Sequence, residues 1–282
     1  MTIEENGFLL VPDNPLAAVD PWDLVAEEYA ASTISVMRPF ADRAVRLAGL
    51  SDRPVPPRVV DIAAGPGTLS LLAAEHAERV EALDFSEPMI AQLAEAVRAA
   101  GVGNVEARVG DGQALPFADA EFDAGFSMFG LMFFPDRARG FAELFRVLRP
   151  GGVAVVSSWA PADRSTWMQM SWRALGSADP DIRPPAPNPE SLENPEVFER
   201  EMRAAGFERV SVVPHTVEMV FADADALLAR LTRGIAPLAL MRRSIGDRAM
   251  AERIEAMRSY LTEHYRPGSP LTTTAYLGVG YK

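Results

Sequence analysis

The chain lacks cysteine and carries a single lysine, Lys282, at its end. The absence of cysteine excludes disulfides, thiolate nucleophiles and cysteine metal sites. The shortage of lysine argues against Schiff-base chemistry, a phosphate-binding P-loop lysine and the Tyr-Lys pair of a dehydrogenase. The three histidines, His76, His215 and His264, are too scattered along the chain to indicate a metal cluster. The chemistry must therefore come from carboxylates, hydroxyls, aromatic rings, the backbone or a bound cofactor.

Basic residues are scarcer than acidic ones, with 27 Lys and Arg against 39 Asp and Glu and a formal net charge of −12. An acidic chain repels phosphate backbones and no basic run compensates, so the sequence disfavours a nucleic-acid partner. No apolar run approaches the roughly 18 residues of a membrane helix, and the first residues lack the pattern of a signal peptide. We therefore expect a soluble, cytoplasmic protein without membrane insertion, either a monomer or a homodimer.

The chain has 282 residues, 48% of them hydrophobic, which is enough for one large α/β domain with insertions. Short apolar runs alternate with helical patterns in its first half. Residues 21–49 have a helical pattern that Pro39 interrupts. The predicted strands cover 58–63, 80–83, 105–109, 122–128 and 153–158, and residues 210–213 and 218–221 look extended. Repeated βα units of this length predict a Rossmann-like, doubly wound and mainly parallel sheet of seven strands. Such sheets bind ligands beyond the carboxyl ends of their strands.

Two stretches interrupt this alternation and divide the chain. The first is rich in Trp and Met and then in Pro, which we interpret as a lid. The second has a helical pattern and is interpreted as a further insertion. The predicted order is an N-terminal helical cap over 1–50, core over 51–160, lid insertion over 161–191, core over 192–222, helical insertion over 223–266 and a final edge strand over 267–282.

The strongest local signal is the segment from Val59 to Thr68, where a strand ends, two glycines permit a tight turn and a helix begins. Gly65 and Gly67 remove the side-chain barrier between the backbone and a ligand. The helix N-terminus adds free N–H groups. The segment fits a dinucleotide pyrophosphate, the amino-acid end of S-adenosylmethionine, or a plain tight turn.

Two acids follow the next strands. Asp84 ends the second strand, where a carboxylate can bind both hydroxyls of a ribose, or can serve as an ordinary acid at a helix N-terminus. Asp111 follows the third strand, where it can accept a hydrogen bond from an adenine amino group or belong to an ordinary polar turn. Together with the glycine loop, these acids indicate a nucleoside-containing cofactor.

Taken in order, these pieces resemble the class I S-adenosylmethionine-dependent methyltransferases. The branch that the chain resembles most is the ubiquinone/menaquinone-biosynthesis type, methyltransferase type 11. The resemblance covers about residues 58–160, and the ordered set is specific although each piece alone is weak. The pieces are Asp61-x-x-x-Gly65-x-Gly67, Leu83-Asp84-x-Ser86-x-x-Met89, Gly110-Asp111-x-x-x-Leu115-Pro116-Phe117, Phe122-Asp123 and Leu148-Arg149-Pro150-Gly151-Gly152.

The resemblance implies S-adenosylmethionine as the cofactor and assigns residues to it. Tyr29 would cover the cofactor, Asp84 would hold the ribose, and Asp111 with its neighbours would hold the adenine. The family's first loop glycine is replaced here by Ala63, which costs little if its φ is negative, so we expect binding to survive. The implied cofactor-binding residues are Tyr29, Asp61, Ala63, Gly65, Gly67, Asp84, Phe85, Met89, Asp111, Gly112, Gln113 and Ser127.

The segment 127–134 after the fourth strand is apolar and aromatic, and in this fold it faces the transferred methyl group. It lacks the Asn/Asp-Pro-Pro-aromatic motif of enzymes that methylate amino groups of DNA bases. It predicts an apolar, lidded pocket for a small-molecule methyl acceptor, although such residues are also typical of plain core. His215 stands near the end of a predicted extended segment, from which it could enter this pocket or serve as an ordinary surface or core histidine. The predicted substrate-binding residues are Met128, Phe129, Met132, Phe133, Trp159, Trp167 and His215.

No catalytic base and no metal ligand is predicted. A sulfonium methyl group is already activated, so the protein mainly has to align the acceptor and exclude water. The favoured function is methyl transfer to O, N or C of a small apolar or aromatic metabolite. One alternative is a methyltransferase-fold protein that binds the cofactor without transfer, as a cyclase or a regulatory binder. Another is an NAD(P)-dependent oxidoreductase, which the missing lysine disfavours.

Overall fold

The computed structural model describes residues 14–184, 186 and 188–282. The first 13 residues of the predicted cap and positions 185 and 187 of the predicted lid lie outside this part of the chain. The described strands are β1 Arg58–Ile62, β2 Arg79–Asp84, β3 Val105–Val109, β4 Phe122–Met128, β5 Leu148–Trp159, β6 Glu208–Met219 and β7 Leu271–Tyr281.

These strands form one sheet in the order β3-β2-β1-β4-β5-β7-β6. The first five pair in parallel, whereas β7 runs antiparallel to both of its neighbours. The order reverses between β1 and β4, which is where a doubly wound sheet opens a ligand crevice. The predicted Rossmann-like, mainly parallel sheet is confirmed.

Ten α-helices accompany the sheet within the described residues. They are α1 Asp20–Ser32, α2 Ile34–Leu47, α3 Thr68–Ala74, α4 Glu87–Ala100, α5 Arg137–Val147, α6 Thr166–Ala178, α7 Pro195–Ala204, α8 Ala224–Thr232, α9 Ala236–Ile245 and α10 Asp247–His264. None of them is both long enough and apolar enough to span a bilayer.

The N-terminal helical segment breaks at Thr33 and not at Pro39, where the sequence predicts the interruption. The Thr33 hydroxyl donates to the Tyr29 carbonyl beside the helical Thr33 N–H, and back-bonding of this kind bends helices. Pro39 lies inside α2. Because α2 is amphipathic and buries Phe40 and Ala44, tertiary packing outweighs the missing proline N–H.

The predicted final edge strand is wrong, because β7 lies between β5 and β6. The extended segment predicted at 210–213 and the first two residues of the one predicted at 218–221 lie in the single strand β6, which pairs along β7 and takes the edge. Side chains of β6 alternate between exposed and half-buried, and the strand contains Pro214. Proline is compatible with an edge strand, since its missing N–H can face solvent.

The core has one apolar layer on each face of the sheet. Val60 and Ile62 of β1 point to the layer covered by α5 and α7, whereas Val59 points to the layer covered by α2 and α3. This alternation follows from the period of two along a strand. The two predicted insertions pack on each other, since α6 shares a separate apolar cluster with α8, α9 and α10.

Gly278 of β7 gives a test of the packing beneath α7. A Cβ at this position would lie 2.7 Å from both Met202 Sδ and Phe198 Cε2, and both side chains are fully buried. We expect Gly278→Ala to lower the free energy of unfolding by about 1–3 kcal/mol in urea denaturation, because the added methyl overpacks the core. Gly103→Ala is the control, since no atom approaches an added Cβ at this exposed glycine. Equal losses in both variants would contradict the packing.

Candidate functional site

The carboxyl ends of β1 and β4 open into a cleft beside the sheet. Of the residues predicted to bind cofactor or substrate, six line it: Tyr29, Asp61, Ala63, Gly65, Met128 and Phe129. The remaining lining residues are Met37, Ala41, Ala64, Pro66, Thr68 and Leu69. The cleft thus lies at the reversal of strand order, the position that the fold favours for ligands.

The loop between β1 and α3 forms the floor of this cleft. Gly65 and Gly67 have φ angles of +54° and +88°, in the left-handed region that favours glycine. An added Cβ at Gly67 would lie 2.8 Å from Leu93 Cγ, so this glycine also lets α3 approach α4 closely. The Ala64 N–H donates to the Leu83 carbonyl at 3.0 Å and anchors the loop to β2.

Ala63 was expected to cost little stability if its φ were negative, and that condition is not met. Its φ is +56°, where a Cβ is strained by about 1–2 kcal/mol. Its methyl group fills the space beside Gly130, where an added Cβ would lie only 2.2 Å from the Ala63 Cβ. The loop therefore keeps its glycine-like shape despite the alanine, and the strain is held at the wall of the cleft.

Asp61 is a buried acid on this wall. Its side chain accepts a hydrogen bond from Ser70 Oγ at 2.6 Å. Burial raises the pKa of Asp61 to about 7, and the negative charge of Asp84 adds to the rise. Near neutral pH the carboxyl is therefore poised between its two protonation states. A cation placed beside it would favour the ionised form.

Asp84 joins the glycine loop to the end of β2. Its Oδ2 accepts from the Gly65 N–H at 2.8 Å, and its Oδ1 accepts from the Ser86 N–H at 2.9 Å. The side chain is buried, and this burial raises the pKa of Asp84. Each oxygen keeps further acceptor capacity, so the carboxylate can hold the loop and still accept hydrogen bonds from a ligand.

Helix α1 packs beside the N-terminus of α4. Ser86 Oγ donates to Asp23 Oδ1 at 2.6 Å, and Met89 is buried against α1. The Trp22 ring lies 5.4 Å from the Phe133 ring, centroid to centroid. No sequence pattern identified Asp23 as a contact of this region or assigned Trp22 to the site. The seven-residue spacing of Trp22 and Tyr29, which places them on one face of α1, was the available signal.

The residues predicted at the adenine end form a tight turn after β3. Asp111 Oδ1 accepts from the Gln113 backbone N–H at 2.8 Å, and Gln113 Oε1 accepts from the Asp136 N–H at 2.9 Å. Gly112 packs against the Phe134 ring, which an added Cβ would approach to 2.5 Å. Phe85 is exposed directly after Asp84. These residues stand at neighbouring strand ends outside the lining of the narrow cleft.

An aromatic cluster borders the other end of the cleft, and we define it by Phe40, Phe129, Trp159 and His215. Phe129 stacks on Trp159 with ring centroids 4.1 Å apart, and Phe40 meets the rings of Phe129, Trp159 and His215 edge-on. Phe129 has a φ of +59°, which is a strained conformation for a bulky residue. Its N–H donates to the buried Ser157 Oγ at 2.9 Å, which helps to hold that conformation.

His215 reaches the aromatic cluster from the middle of β6, where it pairs with Ala275, and not from near a strand end as the sequence indicated. It is half-buried. Burial lowers the pKa of His215, and the positive charges of Arg43 and Arg46 lower it further. The imidazole is therefore neutral at neutral pH. Phe40, which joins His215 to the other rings, was not predicted, because its place in α2 carries no motif.

Three further predicted residues lie apart from the cleft lining. Trp167 stacks on Phe221 at 5.5 Å within the apolar cluster of the insertions. Ser127 is fully buried, and its hydroxyl accepts from the Leu131 N–H. Met132 packs between the core and the aromatic cluster. Within the described ranges, no three His, Asp or Glu side chains converge as a metal site would require.

Residues 59–152, which span β1 to the start of β5, match the family model of a methyltransferase domain. They form a class I methyltransferase domain. The class I methyltransferase predicted from the sequence is confirmed for this segment, and with it S-adenosylmethionine as the cofactor that the class implies, whereas the ubiquinone/menaquinone-biosynthesis branch stays a prediction.

Curated relatives support the same domain over part of their length. An uncharacterized protein of Mycobacterium tuberculosis is 40% identical over 148 residues, which are 52% of each chain. Demethylmenaquinone methyltransferase of Thermus thermophilus is 36% identical over 43% of this chain and 56% of its own. Malonyl-[acyl-carrier protein] O-methyltransferase of Methylococcus capsulatus is 32% identical over 63% and 62%, respectively. The chain spans about half the length of the first relatives it matches.

Solved structures share the fold at low sequence identity. The YcgJ protein of Bacillus subtilis superposes with a TM-score of 0.56 over 86% of this chain and 98% of its own, at 18% identity. The [4+2]-cyclase SpnF superposes with a TM-score of 0.58 over 96% and 98%, also at 18% identity. At this identity the likeness extends to the fold alone.

The raised pKa of Asp61 predicts a pH-dependent stability. The unfolded carboxyl ionises near 3.8, whereas the folded one keeps its proton until about pH 7. Between these values stability falls as pH rises, because the fold retains a proton that the unfolded chain has lost. We expect Asp61→Asn to be more stable than the unsubstituted protein in urea, with an advantage that grows by roughly 2–3 kcal/mol from pH 5 to pH 8.

The control for this pH series is Asp181→Asn, which removes an exposed carboxylate. Its effect on the free energy of unfolding should stay constant between the two pH values. A pH-independent difference for Asp61→Asn as well would contradict the raised pKa.

Because the backbone at Ala63 is strained, we expect a glycine at this position to stabilise the fold. Ala63→Gly relieves the left-handed conformation and should raise the free energy of unfolding by about 0.5–1 kcal/mol, after the added entropy of the unfolded chain. The control is Ala64→Gly, at a position without positive φ, which should lower it by about 0.4–1 kcal/mol. Equal losses in thermal or urea unfolding would show that Ala63 is unstrained.

Proposed function

We propose that this chain transfers the methyl group of S-adenosylmethionine to oxygen, nitrogen or carbon of a small apolar or aromatic metabolite. The observation that carries the proposal is the cleft itself. It joins a buried acid, Asp61, and a glycine loop held by Asp84 to the aromatic cluster at the end of β4. One end thus suits a charged nucleoside cofactor and the other an apolar acceptor.

The chemistry of the lining residues fits this cofactor. Asp61 is a desolvated carboxyl near the glycine loop, and the ammonium of an amino-acid group would stabilise its ionised form. In the proposed arrangement Gly65 and Gly67 leave room for the methionine portion, and Asp84 accepts from the ribose hydroxyls. Asp111, Gly112 and Gln113 would bind the adenine, beside Phe85 and Met89. Tyr29 would cover the cofactor from α1.

The acceptor would lie against the aromatic cluster. When bound, the cofactor supplies a methyl group already activated on a sulfonium centre. Met128 and Phe129 line the cleft where β4 ends, and they exclude water and orient an apolar acceptor. Met132, Phe133 and Trp159 would extend that surface. His215 is neutral and borders the cluster, so we assign it to acceptor binding and propose no catalytic base.

Calorimetric titration of the purified protein with S-adenosylmethionine, S-adenosylhomocysteine and NAD tests the cofactor. We expect the first two to bind and NAD not to bind. Turnover is then sought by incubating the protein with methyl-labelled S-adenosylmethionine and a panel of aromatic alcohols, amines and quinols. Bound but never converted cofactor would favour the cyclase or regulatory alternative. Binding of NAD alone would favour the oxidoreductase.

Asp84→Asn tests the placement of the ribose. We expect it to weaken S-adenosylhomocysteine binding by about 10–100-fold, because a charged acceptor is lost and one amide N–H faces the Gly65 or Ser86 N–H. Asp123→Asn is the matched control. Asp123 also accepts a backbone N–H, from Arg58 at 2.8 Å, but it lies at the opposite, amino end of the parallel strands. Equal affinity of both variants would overturn the ribose assignment.

A further inference from the structure

Arg230 of α8 carries buried N–H groups without a partner. Its Nε and Nη1 atoms are shielded from solvent and make no hydrogen bond with any described residue. No ion pair within the described ranges includes this guanidinium. Burial lowers the pKa of Arg230, which shows the desolvation that its charge experiences. An unpaired charge in such a place is costly, so a ligand that supplies an anion would stabilise it.

Arg230 lies three residues before a segment, Arg233 and Gly234, that contacts α1. The Gly234 N–H donates to Glu28 Oε2, and Ser32 Oγ donates to the Arg233 carbonyl, both at 3.3 Å. An added Cβ at Gly234 would lie 2.8 Å from Tyr29 Cα. The two residues that directly follow α8 therefore pack on the part of α1 that carries Tyr29, one of the residues that line the cleft.

The electrostatics agree with this proximity. Burial raises the pKa of the Tyr29 hydroxyl, and the positive charge of Arg230 opposes that rise. The charged side chain that lines the cleft, Asp61, is acidic, and Asp84 stands directly behind the loop. Among the described lining residues none is basic. An amino-acid or carboxylic-acid ligand would thus find acids for its cationic groups, and Arg230 beside Tyr29 as the nearby cation for its carboxylate.

We propose that Arg230 is a carboxylate-binding residue of this cleft, contributed by the helical insertion between β6 and β7. The inference rests on the proposed function, since it presumes a ligand in the cleft. Guanidinium N–H groups match a carboxylate in charge and geometry. The carboxylate belongs either to the amino-acid end of the cofactor or to the methyl acceptor. Both sources share one chemistry, and the experiment below separates them.

The experiment compares Arg230→Gln with Arg233→Gln, which removes an exposed arginine one turn later on the same segment. Calorimetry measures S-adenosylhomocysteine and 5′-methylthioadenosine, which lacks the amino-acid group. If Arg230 holds the cofactor carboxylate, Arg230→Gln weakens the first ligand by about 10–100-fold and leaves the second unchanged. Arg230→Lys should recover part of that affinity, and Arg233→Gln should change neither ligand.

The second arm uses 1-naphthoate, with 1-naphthamide as its uncharged counterpart, on protein saturated with S-adenosylhomocysteine. If Arg230 holds the acceptor carboxylate, Arg230→Gln leaves S-adenosylhomocysteine binding intact. It then weakens naphthoate, but not naphthamide, by about tenfold or more. Unchanged binding of both carboxylate ligands overturns the inference. Failure of the unsubstituted protein to bind S-adenosylhomocysteine would instead overturn the proposed function.

A stability measurement distinguishes ligand binding by Arg230 from a purely structural role of this side chain. Without ligand, Arg230→Gln should unfold at the same or a higher urea concentration than the unsubstituted protein, because a desolvated charge is removed. A large loss of stability, together with uniformly weaker binding of all probes, would show that Arg230 supports the fold and not a ligand.

Discussion

The buried carboxylate of Asp84 is the interaction on which the site depends. By accepting the N–H groups of Gly65 and Ser86, it connects the β1–α3 loop, the end of β2 and the start of α4. Ala63 and Gly65 of this loop both have left-handed conformations. The same attachment exposes the loop to the cleft. The acid that shapes the loop is thereby the one to which we assign the ribose in the proposed arrangement.

Charge burial recurs around the cleft. Burial disfavours the charged forms of Asp61, Asp84 and Arg230, as the directions of their pKa shifts show. None of these groups is fully neutralised by a described neighbour of opposite charge. Their cost lowers the stability of the ligand-free fold, whereas a ligand with complementary charges would recover it. Perturbed ionisable groups of this kind cluster at functional sites.

The sequence predicted what depends on local pattern. Apolar runs located the parallel strands, and the ordered glycines and acids indicated the family. The pairing of strands distant in the sequence was harder to predict. β7 was placed at the edge because no local pattern shows that β6 pairs with β7 along the length of β7. Tertiary partners were equally hidden. Trp167 packs in the insertions, whereas Phe40, from a helix without a motif, joins the aromatic cluster.

The contact between Ala63 and Gly130 constrains the order in which the chain can change. Gly130 has an ordinary negative φ, so the main obstacle to a side chain there is the Ala63 methyl, followed by Ser127 Oγ at 3.3 Å from an added Cβ. A substitution at 130 is therefore accessible only after position 63 has become glycine, and a glycine at 63 becomes irreversible once 130 gains a side chain. Positions 63 and 130, more than sixty residues apart in the sequence, thus determine which substitutions the other one tolerates.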